Sequence, residues 1–265
     1  MEPLTPQTRT GMPVAFGPVP IPPITKMERA QSLTVRFETD AEAVQRLLPP
    51  GMHAVDPGVL IIGQTQNTGI DYLAGRGYNL VRVAVQVEYR SAAENIQAPF
   101  NLVMWESDAN PIILGREQGG YPKIYGQVPD AVEQEDSRII FSVAEYGTTL
   151  LAGELTDLRP AEAEELEEIQ RQGLQTRTLG WKFIPGQAGG SPDADYPMEA
   201  SARYEYREAL IGTGSVDFKD VSWEQAPMSA HIIDELKSLP LLRNLGARVT
   251  VGSTVLPRSS VRRLG

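Results

Sequence analysis

Four valines spaced two apart, Val81, Val83, Val85 and Val87, alternate with Arg82, Ala84, Gln86 and Glu88. A period of two fits a strand and no helix, because successive strand side chains point to opposite faces. One face of this strand is expected to be buried and the other mostly wet, as in an antiparallel sheet covered on one side. Further strands are expected at 32–38, 101–106, 111–114, 138–146, 148–156, 179–184, 199–210 and 247–256. In the longest, Ala200, Ala202, Tyr204 and Tyr206 alternate with polar residues.

Helices are fewer. Asp40 offers an N-cap to a short helix bearing Val44, Leu47 and Leu48, stopped by Pro49-Pro50-Gly51. A second is expected from about 160 to 172, opening on Pro160 and ending at Gly173. Its acids Glu162, Glu164, Glu165, Glu167 and Glu168 read as a solvated face that complements the helix dipole, not as a catalytic cluster. A third, from Ser229 to about Leu239, carries Ile232, Ile233, Leu236 and Leu239 on one side. Residues 1–25 are proline-rich without periodicity and read as an extended arm. No repeat or clean linker divides the rest, so 26–265 is expected to be a single α+β domain, mostly antiparallel β.

Charge and composition exclude several function classes. The net charge of −10 argues against a nucleic-acid partner, which needs clustered Lys and Arg. No apolar stretch reaches the length of a membrane span, and no signal-peptide pattern opens the chain, so no membrane partner is expected. With no cysteine there is no disulfide or thiolate chemistry, which fits a cytoplasmic location. His53 and His231 follow no metal-ligand spacing and read as structural, so no metal is expected. Gly75-Arg76-Gly77 and Gly212-Thr213-Gly214 lack the third glycine of a dinucleotide loop, and no Gly-x-Ser-x-Gly elbow occurs.

One segment stands above this background: Gly115-Arg116-Glu117-Gln118-Gly119-Gly120-Tyr121-Pro122-Lys123-Ile124. It places a lysine beside a proline, between apolar residues. Apolar surroundings push a lysine towards the neutral amine, and a neutral amine can attack a ketone to form an imine. The plain alternative is a surface lysine after a turn.

The pattern Gly115-Arg116-Glu117-x-x-x-Tyr121-Pro122-Lys123 resembles the signature of the acetoacetate decarboxylase family, whose Schiff-base lysine follows that proline. The resemblance extends along the chain through Arg29, Thr39-Asp40, Leu48-Pro49, Lys182-Phe183-Ile184-Pro185, Gly190-Ser191-Pro192 and Leu256-Pro257-Arg258. It implies a closed, cone-shaped antiparallel β-barrel with flanking helices, a homo-oligomer, no cofactor, and Lys123 inside the barrel. Acetoacetate decarboxylase is itself the known example of a lysine activated by desolvation or a neighbouring cation, so that activation is implied by the resemblance.

By the same resemblance Arg116, Glu117 and Tyr121 are expected beside Lys123 as catalytic residues and Arg29 as a substrate-binding residue; Gln64 and Tyr78, from the region where the family's glutamates are missing, are further substrate-binding candidates. Arg29 is the first candidate to seat a substrate carboxylate; Arg116 either does the same or pairs with Glu117 inside the barrel. Two departures bear on the reaction. Decarboxylating members carry a second lysine where this chain has Ile124, and two glutamates where Leu60 to Tyr78 holds none.

The expected activity is a Schiff-base C–C lyase acting on a small oxo acid. An iminium on Lys123 can accept electrons from a breaking C–CO2 bond, or from a C–H bond to give an enamine that adds to an aldehyde and loses water. Some members of the family perform this aldolase-dehydratase chemistry with pyruvate. The second route needs a proton relay, for which Gln64, Tyr78, Tyr121 or Tyr125 are candidates. The altered acids and missing lysine favour a reaction other than strict acetoacetate decarboxylation. A true acetoacetate decarboxylase and a barrel that binds a small ligand without turnover stand as alternatives.

Overall fold

The structure, a computed structural model, describes residues 22–265. Among these, thirteen strands share one sheet: β1 (Ile24–Thr39), β2 (Met52–Ala54), β3 (Gly58–Ile70), β4 (Tyr78–Arg90), β5 (Asn95–Glu106), β6 (Lys123–Tyr125), β7 (Val132–Glu133), β8 (Ile139–Glu145), β9 (Thr148–Pro160), β10 (Thr176–Ile184), β11 (Ala194–Phe218), β12 (Arg243–Pro257) and β13 (Val261–Arg263). Four α-helices interrupt them: α1 (Ala41–Gln45), α2 (Ala109–Gly119), α3 (Ala163–Gly173) and α4 (Ala230–Lys237). Among the described residues no helix is long and apolar enough to cross a membrane.

Strand order runs β10-β5-β4-β3-β1-β12-β11, and β11 pairs again with β10, so seven strands close into a ring-like cone. The seam is a single parallel pairing of Leu179 with Phe100. All other pairings round the ring are antiparallel. From β11 the sheet continues through β9, β8 and β7.

The period of two in β4 explains how the cone is used. Val81, Val83, Val85 and Val87 point outward, into a core shared with Leu33 and Val35 of β1, Phe141 and Val143 of β8, and Ile233 and Leu236 of α4. Each such fully buried aliphatic side chain stabilises the fold by about 1.5–3 kcal/mol relative to exposure. Trp105 of β5 joins them, its Nε1 donating to Ser229 Oγ at 3.0 Å. Both residues are fully buried, so this bond fastens the start of α4 to the cone, and losing either partner would leave the other unsatisfied. The alternate residues Arg82 and Gln86 line a cavity inside the ring. The face expected to be wet is therefore an interior wall.

Three expectations need correction or placing. Residues 111–114 are not a strand; they belong to α2. Asp108 caps that helix, its carboxylate accepting from the Asn110 N–H at 2.8 Å. Pro111 falls in its first turn, where the missing N–H costs nothing, and Gly120 ends it at φ 63°. Pro160 closes β9, and α3 starts at Ala163 behind a capping box between Glu162 and Glu165. The arm expected over 1–25 lies outside the described residues up to position 21, and Ile24 and Thr25 already belong to β1.

Candidate active site

Lys123 opens β6, which adds to β5 in parallel with Lys123 opposite Met104. Pro122 cannot continue α2 and turns the chain, its carbonyl accepting from the Met104 N–H at 3.0 Å. Three cations brace this turn. Arg116 donates to the Lys123 carbonyl at 2.9 Å, and Arg258 to Gln118 Oε1 at 2.8 Å. Lys182 of β10 donates to the Glu117 carbonyl at the C-terminal end of α2, where a cation complements the helix dipole.

So held, Lys123 is only 8% exposed. Its Nζ lies 2.8 Å from Glu106 Oε1 and donates to the Pro111 carbonyl at 3.2 Å. The Tyr78 and Tyr121 rings stand over it, with centroids 5.9 and 5.5 Å away. A small apolar cluster of Met27, Ile70, Tyr78, Leu80 and Met104 surrounds this end of the cone. Gly115 makes the approach possible: a Cβ there would lie 2.6 Å from Lys123 Cδ and Cε.

Glu106, 0% exposed, was not among the expected site residues. It ends β5 directly after Trp105, and its Oε2 has no hydrogen-bond partner among the described residues. Burial pushes its carboxyl above the ordinary 4.5, and the neighbouring Lys123 charge opposes that push without cancelling it. An amine and a carboxyl in contact, in apolar surroundings, can exchange one proton. The phenols differ in kind: burial raises Tyr78 well above 10, and Tyr121 to about 12. They remain protonated and serve as hydrogen-bond donors, not as bases.

The cavity has a volume of about 810 Å³. Register places Met27, Tyr78, Thr254 and Leu256 at its lysine end, and Arg36, Gln86 and Arg248 at the other, where Glu165, Glu168 and Ile169 of α3 also line it. On β12, Thr250 and Thr254 face inward. A second cavity of about 140 Å³ lies on the α2 side of Lys123 and is lined by Leu114, Gly115, Gln118 and Arg258. Lys123, Tyr78 and Tyr121 border both cavities.

Of the residues expected at the site, the structure brings together Lys123, Tyr121 and Tyr78. Arg116 and Glu117 lie on α2 outside both linings, Arg116 turned to the Lys123 carbonyl. Arg29 is exposed and bonds Gln31 Oε1 at 2.5 Å. Gln64 points to the outer core, its Nε2 donating to the Pro129 carbonyl at 2.8 Å, because Gly63 and Thr65 take the inward positions of β3. Tyr125 is 59% exposed. Among the described residues no group of three or more His, Asp or Glu is placed to hold a metal.

A β-cone with a buried amine at one end of its cavity is the class that fold and site define. The sequence matches the model of the acetoacetate decarboxylase (ADC) family over residues 11–263, and the chain belongs to that family. Solved structures share the fold at low identity. An acetoacetate decarboxylase superposes with a TM-score of 0.77 at 16% identity, covering 97% of this chain and 95% of that one. The acetoacetate decarboxylase of Legionella pneumophila gives 0.74 at 19%, covering 99% and 98%. The enduracididine biosynthesis enzyme MppR, in its complex with pyruvate, gives 0.71 at 16%, covering 96% and 95%. No curated protein matches this chain by sequence.

Proposed function

We propose that this chain is a Schiff-base-forming C–C lyase in which Lys123 is the nucleophile and Glu106 its proton partner. The observation that carries this reading is the 2.8 Å contact between Lys123 Nζ and a fully buried Glu106, at the end of a cavity large enough for substrate. Glu106 takes a proton from the ammonium, the free amine attacks a ketone, and the carbinolamine takes the proton back as it expels water. The iminium formed is an electron sink.

Aldolase-dehydratase chemistry with pyruvate fits this arrangement best. Glu106 removes a methyl proton from the pyruvyl iminium, leaving an enamine. The enamine carbon attacks an aldehyde, whose oxygen takes that proton. Loss of a second proton from the same carbon and of the new hydroxyl releases water. Hydrolysis then frees an unsaturated 2-oxo acid and restores Lys123. The protonated phenols of Tyr78 and Tyr121 can donate to carbonyl or hydroxyl oxygens along this path. MppR, a relative in fold, has been solved with the condensation product of pyruvate and imidazole 4-carboxaldehyde. Decarboxylation of a 3-oxo acid is the second reading, supported by the family and by its smaller demand for proton transfer.

Intact mass after borohydride reduction, with pyruvate and acetoacetate supplied separately, tests the proposal. A reduced pyruvate adduct on Lys123 and none of acetone size is the expected pattern. An acetone-sized adduct from acetoacetate would move the assignment to decarboxylation. No adduct from either would favour a non-catalytic binding barrel.

The same assay reads the role of Gly115. Gly115→Ala is expected to slow trapping of Lys123 by about 10–100-fold, since displacing a reacting group by an ångström is felt on that scale. The melting temperature should hold, because alanine is favoured over glycine within a helix and the group it meets is a flexible side chain. Trapping at the wild-type rate would show that this glycine does not set the position of the lysine.

A further inference from the structure

The cone is larger than its lysine end requires. At about 810 Å³ it lies well within the range of cavities that enclose drug-sized ligands, far beyond a three-carbon acid. Its charge is also unlike that of the whole molecule. The chain carries a net −10, yet the acids lining the cavity, Glu106, Glu165 and Glu168, are each matched by a cation: Lys123, Arg159 and Arg171. Arg36, Arg82 and Arg248 line the same cavity, and among the described residues their side chains form no hydrogen bond or ion pair. An acidic protein thus turns three arginines towards one internal space, Arg248 within reach of the Glu168 charge and Arg82 with no ion pair among the described residues.

Of the three, Arg82 lies nearest the lysine end. It lies opposite Met104, and Met104 lies opposite Lys123, so the three share one row across adjacent strands. It is four residues from Tyr78 along β4, about 13 Å at the rise of a strand. Its charge is felt at Tyr121, Tyr204 and Tyr206, where it opposes the upward push of burial on each phenol. The Tyr204 and Tyr206 rings stack with centroids 5.6 Å apart and planes 16° apart, giving the wall a flat aromatic surface. A half-buried guanidinium lacking an acid, in one cavity with flat rings, suits a carboxylate on a planar body.

We propose that this part of the cone is the acceptor site of the reaction, taking an elongated, flat carbonyl compound that bears a carboxylate. The carbonyl end meets the enamine on Lys123, and the carboxylate pairs with Arg82. Arg36 and Arg248, further towards α3, draw the anion in. The assignment of an acceptor rests on the lyase reading above; the anion site itself does not.

Cinnamate and its neutral amide, a flat and unreactive pair, test it by calorimetric titration of the whole protein. Cinnamate should bind about tenfold more tightly than the amide, the scale of one charge-assisted pair. Arg82→Gln should bring the two to near equality, while Arg82→Lys, which keeps the charge without the fork, retains part of the preference. Pyruvate trapping of Lys123 should be unchanged in Arg82→Gln. Equal binding of acid and amide to the wild type, or an unchanged ratio in Arg82→Gln, overturns the anion site. Loss of pyruvate trapping in Arg82→Gln overturns the acceptor assignment, because Arg82 would then seat the donor acid. Wild-type protein that prefers cinnamate but forms no pyruvate adduct retains the anion site and sinks the lyase reading alone.

Discussion

Lys123→Ala is expected to abolish borohydride trapping and to lower turnover by roughly 10⁴-fold or more, the scale on which loss of a covalent nucleophile is felt. Lys123→Arg should fare no better, since a guanidinium cannot be deprotonated to attack a carbonyl. Stability supplies a second reading of the same variant. In the wild type, burial already raises the Glu106 carboxyl, and the Lys123 charge is the main influence holding it down. Without that charge the folded value rises further above the unfolded 4.5. For a carboxyl raised in this way, its contribution is fully present below the unfolded value and is lost as pH rises through the folded one. Lys123→Ala should therefore melt close to the wild type near pH 4 and fall behind progressively above it. Once the carboxyl must ionise, the deficit should approach about 3–5 kcal/mol, the cost of stranding a buried charge. Melting curves across this range check the sign. A deficit that shrinks with rising pH would show that the pair is not coupled as described.

Much of the fold was legible because one face of most strands meets an apolar core. The valines of β4 and the alternation in β11 mark period-two strands without ambiguity. β3 was missed for the opposite reason. Its outward residues include Gln64, and its inward residues run from Ile61 through Gly63 to Thr65 and Asn67, so polarity does not follow the pleat. A strand with core on one side and a polar cavity on the other carries no simple alternation. The same ambiguity misled the reading of 111–114. Ile112, Ile113 and Leu114 form a run too short to separate strand from helix, and the deciding signals are the caps, Asp108 and Gly120.

The site was legible to the extent that one motif packs together in space. Lys123 and Tyr121 share a segment, and Tyr78 comes to them from β4. Arg29 and Gln64 depended on which way a strand residue faces, and a one-residue difference in register reverses that. Arg82 was legible as a residue but not as a cavity group, since alternation separates two faces without saying whether the polar one meets bulk water or an enclosed space. Glu106 did leave a signal. An acid that closes the apolar run Leu102-Val103-Met104-Trp105, with Met104 beside it on the inward face, has no reason to sit there unless something compensates it.

That compensation makes Glu106→Gln the most informative change after the lysine itself. Turnover should fall by about 10²–10⁴-fold, the usual worth of a positioned acid–base group. Glutamine keeps the size and a hydrogen-bond acceptor for the Lys123 ammonium but cannot take its proton. Borohydride trapping of pyruvate should therefore persist on Lys123 at a reduced rate, separating proton transfer from nucleophile placement. A purely structural role for Glu106 would place the variant rate below the wild-type rate by a constant factor at every pH. A proton-accepting role predicts a difference in shape. Wild-type activity should rise with pH as the Glu106 carboxyl ionises, at a value above the ordinary 4.5 because burial holds it up. The Glu106→Gln profile should lack that limb. Tyr78 and Tyr121 cannot supply it, as burial pushes both phenols upward, away from neutral pH. Glu106→Asp, a shorter carboxyl, should restore the limb with only part of the rate, because the 2.8 Å contact is stretched. A Glu106→Gln variant with an intact acid limb would assign the proton to a group other than Glu106 and leave Lys123 dependent on its apolar surroundings alone.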